Sequence, residues 1–328
     1  MNNPRPICPL VLAACLGLLA GALLTGCGGT SRIPFHKLDD AALLTAARRD
    51  LDRSEPESAI VKCKALMNRT TARAQREDAE FLNAKCRLKM AQYEAAYEDL
   101  KSFVNTYPLS KHRAEDPLYS IGITVIDGGD TGFLGIRGFL GLSLEGIDVL
   151  RYLIKISHNG KHAADAQRII AQYYFERADY ELAQLEYEAF LDDYPKSIWR
   201  SLAEYRIPLC SRMRSRGAVY DRRLLENALE GFRKYERRHP DGDYANLARN
   251  RVKELNGMLA EKNYRIGVFY LADKRVDASV FHFQLTHQKY PETRWARYAL
   301  DRLREIATDY PNSMAGRNAA SELKRTEG

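Results

Sequence analysis

HAADAQRIIAQYYFERADYELAQLEYEAFLDDYP, residues 162–195, decides the fold. Small residues stand where two amphipathic segments have to touch, and large ones where they interlock. Ile170, Ala171 and Tyr174 mark the first segment, Ala183 and Tyr187 the second, and Tyr194-Pro195 closes the unit. Two helices approach to about 8 Å only where side chains are short, while aromatics fill the groove around the crossing. Proline lacks an N–H and clashes with the preceding turn, so it halts the second helix.

The same closure recurs at Tyr107-Pro108, His239-Pro240, Tyr290-Pro291 and Tyr310-Pro311. Counting back from each proline over a unit of about 34 residues returns the same chemistry. The unit ending at Pro291 has Ile266, Gly267 and Tyr270, then Ser279 and Phe283; that ending at Pro108 has Ala84, Ala96 and Leu100; that ending at Pro240 has Ala228 and Phe232. A degenerate first unit puts Ala47 and Ala59 in these slots, with Thr71 in place of the proline. The pattern resembles the tetratricopeptide repeat over roughly residues 38–310. A late second-helix slot that is usually Ala in that repeat holds Phe103, Phe190 and Tyr235, which should open the angle between units. The expected fold is all-α, a solenoid of about five tetratricopeptide-like helix-turn-helix units; an ordinary helical bundle with accidental spacing is the alternative.

Residues 38–160 hold the N-terminal units, 161–311 the C-terminal units and 312–328 a polar tail. Two stretches break the period. In a loop at 127–146 the glycines at 129, 132, 135, 138 and 141 recur every third residue among Phe133, Leu134, Ile136, Phe139 and Leu140. Phosphate-cradling loops need uneven glycine spacing or a Gly-Lys-Ser/Thr ending, and neither is present. The loop reads as an insertion between the helices of a third unit, or as an apolar contact loop for a partner or a membrane surface. A second insertion, about Ile207 to Asp221, carries Arg212, Arg214 and Arg216 and reads as a solvated turn.

The chain has 328 residues, 45% hydrophobic and 28% charged, which is far too apolar for disorder. Twenty-one Gly and 12 Pro exclude collagen-like and proline-rich architectures. The net charge of +7 is spread through mixed-sign segments, without the basic stripe a nucleic-acid reader needs. Arg5 precedes an uncharged, mostly apolar run from Ile7 to Leu24, then Leu24, Thr25, Gly26 and Cys27. This resembles a secretory signal ending in a bacterial lipobox, which implies a signal peptide at 1–26, lipidation of Cys27 and a flexible tether over 27–37. A retained transmembrane anchor is the competing reading, since the run is just long enough to span. Gly28 instead of Asp after Cys27 resembles lipoproteins sorted to the outer membrane. Processing leaves Cys63, Cys86 and Cys210, read as three small buried thiols or as a Cys63–Cys86 bridge between neighbouring helices beside a lone Cys210.

Catalytic patterns are missing. His158 and His162 flank an Asn-Gly turn instead of sharing a helix face, His282 and His287 have no matching carboxylate, and no nucleophile elbow occurs. The expectation is a non-enzyme with no metal, cofactor or small-molecule substrate. In the repeat register the concave face of the first two units includes Leu44, Arg48, Leu51, Phe81, Lys85 and Leu88. Of these, Arg48, Phe81, Lys85 and Leu88 would suit a peptide with hydrophobic side chains and a terminal carboxylate. A solvated helix face with its apolar residues turned inward is the plainer reading.

The lipobox, five helix-pair units, the Gly132–Gly135 loop in the third and the long helical run from Tyr244 through Ala272 together resemble the BamD family of barrel-assembly lipoproteins. The resemblance implies a lipid-anchored scaffold on the periplasmic side of the outer membrane. Its N-terminal units would receive client outer-membrane proteins and its C-terminal units would dock on the barrel-assembly core protein. The family's docking helix has a basic residue before a Leu-Ala pair. Here Met258 precedes Leu259 and Ala260, so Arg251, Lys253 and Met258 are the docking candidates. A periplasmic adaptor organising cell-envelope or cell-wall enzymes is the alternative function.

Overall fold

The computed structural model describes residues 37–130, 144–217 and 221–327. The signal peptide at 1–26, Cys27, nearly all of the tether and Gly132–Gly135 lie outside these residues. The described chain is built from fourteen α-helices. They are α1 (Asp40–Asp52), α2 (Pro56–Arg69), α3 (Arg73–Lys89), α4 (Tyr93–Thr106), α5 (Glu115–Asp130), α6 (Gly146–Ile156), α7 (Ala163–Glu176) and α8 (Tyr180–Asp193). Then follow α9 (Arg200–Arg214), α10 (Arg222–Arg238), α11 (Ala245–Ala272), α12 (Val276–Lys289), α13 (Arg294–Asp309) and α14 (Met314–Glu327). A 3-10 helix, Pro108–Ala114, links α4 to α5. Helices pack mainly on their sequence neighbours, with next-but-one contacts α1–α3, α11–α13 and α12–α14 at the two ends. This is the expected helical solenoid. Five hairpins carry the small-residue register, joined by the interrupted pair α5–α6 and a last pair α13–α14.

The register is physical. Ala171 and Ala183, Ala84 and Ala96, and Ala47 and Ala59 are all buried where paired helices meet. The bulky slot residues Phe103, Phe190 and Tyr235 are buried as well. Each buried aromatic of this kind stabilises by roughly 1.5–3 kcal/mol. At the α11–α12 crossing, a Cβ on Gly267 would lie 2.7 Å from the Phe283 ring, so glycine sets that approach.

Two local devices repeat with the core. Before each proline the capping residue leaves helical geometry in the same way: Tyr107, Tyr194, His239, Tyr290 and Tyr310 have φ of -126, -126, -132, -135 and -125. The ring of a following proline drives its predecessor out of the α region. Inside the hairpins, Ser54, Ala91, Ala178 and Lys274 sit in the left-handed region at φ 61, 56, 60 and 61. At each, paired bonds close the helix end, as where Ala178 N–H donates to Phe175 O (3.1 Å) and Asp179 N–H to Tyr174 O (3.0 Å). Each of these residues lies seventeen positions before Thr71, Pro108, Pro195 or Pro291, which ties the degenerate first unit into the same period.

Three sequence expectations change. Residues 312–328 are not merely a polar tail: α14 buries Ala315 and Ala319 against Leu303 and Ile306 of α13 and Val280 and Phe283 of α12. The amphipathic spacing of a short Ala-rich segment supplies that face. The insertion at Ile207–Asp221 is not a solvated turn for most of its length, because α9 runs through Pro208 to Arg214. Arg212 pairs with Glu254 (2.7 Å) and Arg214 with Glu181 (3.3 Å). Residues 127–130 of the Gly-rich loop belong to α5, and α6 begins at Gly146.

Candidate functional site

Two concave sites carry exposed chemistry, one at each end. The N-terminal groove is held by α1, α3 and α5. Asp39 starts α1 by accepting a hydrogen bond from Ala42 N–H (2.7 Å), and the left-handed turn at Ser54 brings the chain back into α2. The degenerate first unit thereby stands beside α3. The groove encloses about 880 Å³, and its lining includes Leu51, Asp52, Phe81, Lys85, Leu88, Lys89 and Tyr93 with Arg113 and Asp116. Arg48 joins a contiguous recess with Asp78 and Leu82.

Phe81, Lys85 and Leu88 lie together on one face of α3 and line this groove. Leu44, the least exposed of the concave candidates, turns into the core. Arg48 is committed elsewhere: its guanidinium lies 2.6 Å from the Asp78 carboxylate. Lys85 and Lys89 have no ion-pair partner among the described residues, and Lys85 is exposed. Sequence reasoning missed Arg113. On the 3-10 helix after Pro108, it bonds Glu77 (3.0 Å) and Asp78 (2.8 Å), and its guanidinium lies 4.5 Å from the Phe81 ring centre. Arg113 thus fixes the floor of the groove and orients Phe81, a stacking role that fits a planar guanidinium. The only signal in the sequence was the basic run Lys111–Arg113, displaced by the Pro108 stop.

The C-terminal pocket, about 620 Å³, lies between α11 and the start of α13. Lys253, Glu254, Asn256, Gly257, Met258 and Glu261 face Glu292, Thr293, Arg294 and Trp295. Thr293 caps α13 by accepting from Ala296 N–H (3.2 Å), which sets Trp295 beside the opening. Lys253 and Met258 of the docking candidates line this pocket. Arg251 does not; it is held by Glu254 (2.7 Å), which also takes Arg212. Burial opposes the Glu254 carboxylate, but Arg251 and Arg212 hold it below the usual range. Gly257 leaves the pocket wall open, since a Cβ at that position would have nothing within 4 Å.

Between the sites the repeats are tied by buried polar groups. Glu204 on α9 accepts from His239 (2.5 Å), Arg238 (2.9 Å) and Arg200 (3.0 Å). Burial works against that carboxylate, yet these partners hold it low. Among the described residues no group of three or more His, Cys, Asp or Glu is arranged to hold a metal ion. No described helix is long and apolar enough to cross a membrane.

Serial helix hairpins with small residues at the crossings define a tetratricopeptide-like solenoid, here with a concave site toward each end. A tetratricopeptide family model matches residues 78–110. The family described as "YfiO: Outer membrane lipoprotein" matches residues 144–310, a little over half the sequence, and the chain belongs to that family. The outer membrane protein assembly factor BamD of Caulobacter vibrioides is 29% identical over 134 residues. That alignment covers 40% of this chain and 44% of the relative, so it spans less than half of either. A tetratricopeptide repeat protein from Parabacteroides merdae superposes with a TM-score of 0.35 at 14% identity, over 88% of this chain and 99% of that one.

Proposed function

We propose that this protein is a lipid-anchored scaffold of outer-membrane β-barrel assembly, held to the membrane through Cys27 and facing the periplasm. In this reading the α1–α3–α5 groove takes an extended segment of a client barrel, and the α11–α13 pocket docks the core protein of the machinery. The single observation that carries it is the N-terminal groove. Its apolar floor of Phe81 and Leu88 beside the unpaired Lys85 and Lys89 suits an aromatic-rich strand ending in a carboxylate. Membership in an outer-membrane lipoprotein family and the named BamD relative support the setting. The fold is read as a binding scaffold, not a catalyst.

The test is photo-crosslinking in living cells from residue 81 or 88 in the groove and from residue 258 in the pocket, followed by mass spectrometry. Barrel precursors captured from the groove and one assembly-core protein captured from the pocket are expected. Cell-wall enzymes from both positions, with no barrel protein, would replace this reading by that of an envelope adaptor. Fatty-acid labelling that persists after Cys27→Ala would remove the anchor.

A further inference from the structure

The buried cysteines of the first two units stand in a relation that the groove does not use. Cys63 on α2 and Cys86 on α3 are both fully buried in one cluster with Leu43, Leu66, Ala79 and Leu82. Both are free thiols in the structure, on helices packed directly against each other, and each is the group that acts most strongly on the other. Cys210, by contrast, is buried alone on α9 among Ala171, Ala183 and Tyr187. We infer that Cys63 and Cys86 form a disulfide in the mature protein, a covalent staple joining the first unit to the helix that lines the groove, while Cys210 stays a thiol.

The packing places the two thiols in one buried cluster between adjoining helices, and a disulfide closes their sulfurs to about 2.05 Å. The chemistry balances through exchange with the disulfide of a thiol oxidoreductase. A cysteine thiolate attacks that disulfide, the second thiolate displaces the donor's sulfur, both thiol protons leave, and two electrons reduce the donor to a dithiol. Neither sulfur is accessible once α2 and α3 have packed, so the bond forms as they come together. The same burial then shields it from reductants. On the far face of α3, Phe81, Lys85 and Leu88 are thereby fixed relative to α1 and α2.

The inference rests on the proposed periplasmic location, since such bonds persist in oxidising compartments. The test isolates the full mature chain from its membrane under acid quench, denatures it without reductant, alkylates it and maps the peptides. Expected are an adduct at Cys210, none at Cys63 or Cys86, a linked pair of peptides lighter by two hydrogens, and release of both thiols by reductant only after unfolding. In Cys63→Ser, Cys86 becomes alkylatable. Adducts at Cys63 and Cys86 without reductant overturn the inference. Refolding the same chain in a glutathione redox buffer then assigns the fault: linkage there faults the compartment, and free thiols there fault the geometry.

Discussion

The two ends of the solenoid use the same next-but-one helix packing to make a concavity, yet they fill it with different charge. In the α1–α3–α5 groove Lys85 and Lys89 have no carboxylate partner among the described residues and share the lining with Asp52, while Arg48 and Arg113 are paired with Asp78 and Glu77, and Asp116 with Lys161 and His162. In the α11–α13 pocket, Lys253 and Arg294 share the walls with Glu254, Glu261 and Glu292. Two open bases suit a flexible segment carrying the opposite charge, because a flexible partner brings its charge to them without a fixed register. A mixed-sign wall around Trp295 and Met258 suits a folded partner that matches both signs in register. The difference lies in side chains alone, on a backbone that repeats.

The largest expected effect concerns the packing that supports the C-terminal pocket. Gly267→Ala forces a methyl against the Phe283 ring and should cost about 1–3 kcal/mol, read as a lower midpoint in urea unfolding. Gly257→Ala, ten residues earlier on the same helix, faces open space and should gain about 0.5–1 kcal/mol from helix propensity. Equal shifts at the two glycines would break the claim that close approach at the crossing builds this end.

Acid should loosen the C-terminal end before the middle. Burial, aided by the positive charge of Arg222, lowers His282, whose Nδ1 is buried without a partner. The unfolded chain then binds a proton that the folded one resists. Stability is full above the ordinary histidine range, near pH 6.5, and falls as the pH drops below it. Melting temperatures recorded from about pH 7.5 to about 5.5 should decline, and His282→Gln should remove part of that decline. Glu204 acts lower still: its stabilisation is present above the ordinary glutamate range and disappears as the pH falls through its depressed value. A melting curve flat across both windows would contradict these environments.

The smallest effect sharpens the comparison, because it should be alike at both ends. Ala91→Gly in the N-terminal half and Lys274→Gly in the C-terminal half each relieve a left-handed side-chain residue, worth about 1–2 kcal/mol. The greater freedom of glycine in the unfolded chain offsets about 0.5–1 kcal/mol of that. Net gains of a few tenths to about 1 kcal/mol are expected at both, measured by chemical denaturation.

Most of the architecture was legible because its physics is local. Small residues at helix crossings, prolines after aromatics and aromatic fillers stand at fixed offsets, and Ala171, Ala183, Tyr187 and Phe190 are buried where that register puts them. The left-handed turns were not legible, since Ser54, Ala91, Ala178 and Lys274 replace the glycine that usually marks them. The last helix was hidden by its polarity, since only Ala315 and Ala319 with a few neighbours announce its buried side. Basic insertions look solvated in sequence, but Arg212 finds Glu254 forty-two residues later, a pairing no local pattern encodes. Of the groove, Phe81, Lys85 and Leu88 followed from helical spacing, while the engagement of Arg48 by Asp78 depends on α1 lying against α3, and the clamp by Arg113 on the chain after Pro108 folding back.

The central claim is that the N-terminal groove holds a client segment through its lysines and aromatic floor. Calorimetric titration of the full mature chain with a short peptide ending in an aromatic carboxylate tests it most directly. Lys85→Glu combined with Lys89→Glu should weaken binding roughly tenfold or more, about 1.4 kcal/mol, while Lys253→Glu in the far pocket leaves the affinity unchanged. Equal affinity for all three proteins, or a loss confined to Lys253→Glu, would contradict the account.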